Sequence, residues 1–169
     1  MDTLTIFGLQ FILSLVVFSL LAKWHVLPRL AQCSTQQAFM ALLIPHALRH
    51  LGLAFLVPGL VVQPLPSSFA NAAAYGDLLS GLLALLAMVA LRAHWGLALG
   101  LVWIFNIVGT VDLLNALRQA EVVPNLGTTW YIPTFVVPIL LVTHVMIFAQ
   151  LFKARRHTVT DLKNQTVQL

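Results

Sequence analysis

Five stretches of the chain are almost wholly apolar, at about 4–22, 38–61, 75–91, 96–117 and 130–152. Short polar or proline-bearing segments separate them: Lys23 to Gln37, Gln63-Pro64-Leu65-Pro66-Ser67-Ser68, Arg92 to Trp95, and Glu121-Val122-Val123-Pro124-Asn125. A helix needs about 20 mostly apolar residues to cross the hydrocarbon of a bilayer. The pattern therefore predicts an all-α integral membrane protein, a five-transmembrane-helix bundle. It forms a single domain over 1–155, followed by a short polar tail over 156–169. Short connections predict that consecutive helices pack as antiparallel neighbours. The first stretch reads as a retained span, because nothing basic precedes it and no small-x-small cleavage site stands before Lys23 and Trp24.

Orientation follows from the cations, which stay on the cytoplasmic side when they flank a span. Lys23 and Arg29 follow the first span, Arg92 the third, and Lys153, Arg155, Arg156 and Lys163 the last; the second loop has no cation, and Arg118 lies close to Glu121. This alternation places the N-terminus outside and the C-terminus in the cytoplasm, and it requires an odd number of spans. Trp24 and Trp95 fall at the expected inner boundary, and Tyr75, Trp130 and Tyr131 at the outer one, where amphipathic rings prefer the headgroup level.

Composition sharpens the picture. Of 169 residues, 60% are hydrophobic and 8% charged, whereas a soluble domain is about a quarter charged. The net charge of +4 is spread over span ends and forms no basic face, so nucleic acid is not an expected partner. The one cysteine, Cys33, excludes an intrachain disulfide and a CxxC motif. The expected setting is the bilayer, with a bacterial inner (plasma) membrane as the expected location and a homo-oligomer as an open option.

Small residues mark the faces that meet other helices. In the third span Asp77, Ser80, Gly81, Ala84, Ala87 and Met88 share one face, and Gly96 and Gly100 open the fourth with a GxxxG spacing. Tight packing of these two helices is expected.

The main anomaly is Pro45-His46-Ala47-Leu48-Arg49-His50 in the second span. An arginine at mid-membrane costs roughly 2.5–3.5 kcal/mol on the insertion scale, so it needs compensation. At 100° per residue His46, Arg49 and His50 occupy one arc, which should face the bundle interior. Asp112, with Asn115 one turn beyond, is the preferred counter-ion; Asp77 is placed at the outer end of the third span. His144 and Asn106 bring polar groups from the fifth and fourth spans to similar height, and Pro45, Pro133 and Pro138 predict kinks beside them. Gln10 and Ser14 offer another polar wall.

The favoured function is binding or transport of a small lipidic or anionic ligand at this His/Arg/Asp cluster. Arg49 would hold an acidic, phosphate or carbonyl group through its planar fork, with His46, His50 and His144 as hydrogen-bonding partners and Asn106 and Asn115 completing the ligand site. Trp103 and Phe105 would meet the apolar part, and proton exchange through His50 and Asp112 would couple occupancy to pH. One alternative is a structural or assembly subunit whose cluster only locks helix packing. Another is a b-type haem redox subunit, with His46 or His50 opposite His144. Enzymatic activity is not expected, and no cofactor other than that haem. The i, i+4 histidines lack the HExxH context of a zinc hydrolase, all lysines lie at span ends or in the tail, and P-loop, dinucleotide and GxSxG motifs are missing. Paired intramembrane carboxylates, which cation exchange or a sterol-isomerase-like ligand site would need, are also lacking.

Overall fold

Apolar segments of about 20 residues suit helices, in which every backbone N–H and C=O finds its partner within its own segment. The computed structural model describes the backbone of residues 1–166 and the side chains of residues 1–155. Five helices in it are long and apolar enough to cross a membrane: α1 (Thr3–Leu30), α2 (Thr35–Leu56), α3 (Ser67–Arg92), α4 (Ala98–Leu117) and α5 (Gly127–Arg155). No strand occurs among the described residues. The side chains expected to form the polar tail, 156–169, lie outside the described residues, although the last helix itself runs to Thr166.

Boundaries depart from expectation where polar residues continue a helix. The first helix passes through Lys23, Trp24 and His25 in a π-helical turn over Ala22–Val26 and ends at Leu30. That turn precedes Pro28, and a second, over Ile132–Val136, contains Pro133. Such a turn lets a helix absorb a proline's missing N–H without breaking. The third helix begins at Ser67, well before the leucine-rich run that opens at Leu78. Its N-terminal turns are built from Ala70, Ala72, Ala73 and Ala74, good helix formers that hydropathy weighs lightly.

In α2 the α-helix spans Thr35–Ala47 and then tightens to a 3-10 helix over Leu48–Leu56, three residues after Pro45. A 3-10 run of this length is uncommon. Its three-residue repeat aligns Arg49, Gly52 and Phe55, which are the buried residues of the segment. α3 packs along this segment and along α4, and α5 closes the group against α2 and α4. The buried face of α3 carries Asp77, Ser80, Gly81, Ala84 and Ala87, as its small-residue pattern predicts. The GxxxG pair is different: a Cβ at Gly96 or Gly100 would meet open space, so close approach is made elsewhere.

α1 stands at the periphery. None of residues Thr3–Leu21 is buried. It leans on α5 through Phe18 against Phe135, Phe7 against Trp130, and a 2.6 Å hydrogen bond from the Trp130 indole to Gln10. Gln10 therefore ties two helices together and does not wall the polar site.

The interior has two parts. Near the C-terminal end of α3, Phe39, Leu43, Ala84, Ala87, Val102 and Ile147 form a close-packed apolar core. At the opposite end Phe55, Phe69, Ala73, Val122, Val123 and Leu126 form a second cluster beneath the α2–α3 and α4–α5 loops. These loops are stitched together. Val62 donates to the Asn125 carbonyl at 3.0 Å, and Thr128 donates to the Leu60 carbonyl through both its N–H and its hydroxyl at 2.8 Å. Gly127 sits at positive φ, with the Leu60 carbonyl where a Cβ would fall.

Candidate functional site

Arg49 projects from the 3-10 segment of α2 into the centre of the bundle, where its side chain is fully enclosed. Its Nε donates to Asp77 Oδ1 at 2.7 Å and its Nη2 to Asp112 Oδ2 at 2.5 Å. Nη1 donates to the Gly109 carbonyl at 3.1 Å and faces His144 Nε2 at 3.4 Å. One guanidinium thus joins all four central helices. Charge-assisted contacts of this kind are the ones that offset desolvation of a buried ion.

The imidazoles form a second layer. His144 Nδ1 lies 2.7 Å from Asn106 Oδ1, while the Asn106 amide nitrogen donates to the His144 carbonyl at 3.2 Å. With its amide nitrogen so engaged, Asn106 presents an accepting oxygen to the ring. The imidazole therefore carries its proton on Nδ1 and turns the Nε2 lone pair to Arg49. His46 reaches Thr143 Oγ through Nε2 at 2.9 Å and packs on the His144 ring with centroids 4.2 Å apart. Phe105 lies edge-on to His46 and stacked on His144. His46 Nδ1 and the Ser80 hydroxyl have no hydrogen-bond partner among the described residues.

Glycines make room for the carboxylates and the ring. A Cβ on Gly52 would overlap the Asp77 carboxylate, and one on Gly76 would overlap that of Asp112. At Gly109 it would stand 2.8 Å from His144 Cε1 and 2.9 Å from Arg49 Nη1.

Of the residues expected at the site, the structure brings together His46, Arg49, Asn106, Asp112 and His144. It does not bring in His50, Asn115 or Trp103. His50 is exposed, its ring Nδ1 beside the Ala47 carbonyl, because the 120° step of a 3-10 helix rotates it away from the Arg49 face. Asn115 is exposed too, and its carbonyl accepts from Gln119. Trp103 packs in an aromatic group with Phe148 and Phe152.

Asp77 is the main correction. Starting α3 at Ser67 places it about 15 Å along the helix, at 1.5 Å per residue. It is a direct partner of Arg49, so the bundle does hold paired carboxylates, Asp77 and Asp112, in its interior.

Beside the cluster lies a cavity of about 70 Å³, bounded by Phe7, Phe55, Phe69, Val122, Ile132 and other apolar side chains. Asp77 and Asp112 are the ionisable residues in its wall. It lies at the end of the bundle that holds the N-terminus and the stitched loops, and it is large enough for a few waters or part of a small ligand. A second, apolar cavity of about 280 Å³ lies between α1, α2 and α5, with Pro45 and Thr143 in its wall.

Residues 6–152 match the family described as Domain of unknown function (DUF8737). The chain belongs to this family. The matched region contains every residue of the Arg49 cluster and of the cavity beside it. No curated protein and no solved structure matches the chain.

Sequence reasoning missed Asp77 as a partner, along with Gly52, Gly76 and Gly109. A usable signal was present for the glycines: Gly52 stands three residues after Arg49 and Gly109 three before Asp112. Isolated glycines in a helical segment mark close approach by another group.

Proposed function

We propose that this membrane protein binds a small amphipathic molecule in the cavity beside the Arg49 cluster, drawing it from the lipid phase. The observation that carries this reading is an apolar-walled cavity, inside a bundle, that ends on charged groups. A site with that chemistry retains an apolar body by contact and orients it by one polar end. Between a lipidic and an anionic ligand, the site favours the lipidic one. Four of the five N–H groups of Arg49 are directed at Asp77, Asp112, Gly109 and His144, which leaves no free pair for a forked contact with an anion.

The cluster itself serves as a lock for the helices, in line with the assembly-subunit alternative, and ligand binding is the task of the space next to it. The haem alternative has less support, because His46 and His144 lie ring against ring and leave no slot for a porphyrin between them. In the favoured orientation, N-terminus outside and C-terminus cytoplasmic in a bacterial inner membrane, the cavity belongs to the outer half of the bilayer.

Native mass spectrometry of protein purified in mild detergent tests the reading. Wild type should carry a bound amphiphile. Ala116→Phe, at a partly exposed position of the cavity wall, should lose it while keeping its melting temperature. Bare wild-type protein, or equal occupancy in both forms, would overturn the proposal.

A further inference from the structure

The ion cluster is unbalanced. Counted as ionised, Asp77 and Asp112 bring two negative charges to the single positive charge of Arg49. The other groups that face them supply none: from α4, Asn106 and the Gly109 carbonyl; from α5, His144, which offers Arg49 a lone pair, and Thr143; from α2, His46, bonded to Thr143. Each carboxylate gives one oxygen to Arg49. The second oxygens, Asp77 Oδ2 and Asp112 Oδ1, have no hydrogen-bond partner among the described residues. Asp77 is nine-tenths buried all the same, with 9% of its surface exposed, and it lines the apolar cavity together with Asp112. An uncompensated charge at this depth is strongly unfavourable, and at an effective dielectric near 20 a cation about 4 Å away interacts with it far more strongly than in water.

We infer that the ligand of the cavity is a cationic amphiphile, an amine or quaternary ammonium on an apolar body, whose positive head meets the free carboxylate oxygens of Asp77 and Asp112. This rests on the binding reading above and names its substrate class. The aromatic wall of Phe7, Phe55 and Phe69 suits the purpose, since ring faces attract cations as well as apolar groups. A zwitterionic phospholipid fits less well, because its phosphate would find no free cation beside the carboxylates.

The test is a charge series on one tail: dodecylamine, dodecanol and dodecanoate, titrated into the full-length protein in dodecylmaltoside micelles near neutral pH. Binding is followed by tryptophan fluorescence, to which Trp130 contributes through its contact with Phe7 of the cavity wall. Dodecylamine should bind about tenfold or more tightly than dodecanol, and dodecanoate more weakly than either. Asp112→Asn leaves a balanced Arg49–Asp77 pair and should bring amine and alcohol to within about twofold; Asp77→Asn should do the same with Asp112 as the remaining partner. Equal binding of all three probes by wild type, abolished by Ala116→Phe, would overturn the cationic inference and leave the cavity reading standing. Binding of none of them would remove both. An amine preference undiminished in both aspartate variants would place the cation elsewhere and also overturn the inference.

Discussion

The two ends of the bundle solve the problem of packing helices in lipid by different means. Where α2 begins and α3 ends, Phe39, Leu43, Ala84, Ala87, Val102 and Ile147 interlock, and small residues on one helix receive large ones from another. Toward the other end, the helices are joined by one guanidinium, two carboxylates and carbonyl groups, and a cavity remains beside them. In lipid there is little hydrophobic gain in bringing helices together, so contact and hydrogen bonds must do it. Contact alone gives a filled core. Charges held by directed bonds need glycines to admit them and leave space that side chains do not fill.

That contrast can be broken most sharply at Arg49. Arg49→Met strands Asp77 and Asp112 against each other and should cost about 3–5 kcal/mol, seen as loss of the monodisperse peak in detergent chromatography and a lowered melting temperature. Adding Asp77→Asn and Asp112→Asn to it should recover most of the loss, since replacing a whole buried ion set is far milder than removing one member.

Next in size is Gly109→Ala, which drives a methyl into His144 and Arg49 and should cost about 1–3 kcal/mol. Gly100→Ala, facing open space, should stay within about 0.5 kcal/mol of wild type in the same thermal melts. The filled core sharpens the comparison. Leu43→Ala should cost about 2 kcal/mol from the void alone, at about 24 cal/mol per Å³. Val122→Ala, which widens an existing cavity, should cost clearly less in the same melts.

The two histidines separate a buried position from an exposed one. His144→Phe removes an acceptor from Arg49 and a partner from Asn106, and should cost about 1–3 kcal/mol. His50→Ala, at an exposed position, should change stability by less than about 0.5 kcal/mol. Equal effects of the two would mean that His50 belongs to the cluster after all.

Hydropathy and the cost of an arginine in oil made much of this legible in the sequence: five apolar helices, an inward-facing Arg49, Asp112 and His144 as its neighbours, and Asn106 beside His144. They did so because lipid imposes one rule on every residue along a span, and the rule can be applied one segment at a time. Asp77 escaped because a hydropathy window discounts the alanines that open α3 and so puts the helix start too late. His50 was misplaced because a single α-helical step of 100° was carried across a segment that winds at 120°. The choice between those two windings, the seating of two carboxylates over Gly52 and Gly76, and the cavity left beside them depend on how four helices meet. Close packing is a property of pairs of surfaces, and no single stretch of chain contains its partner.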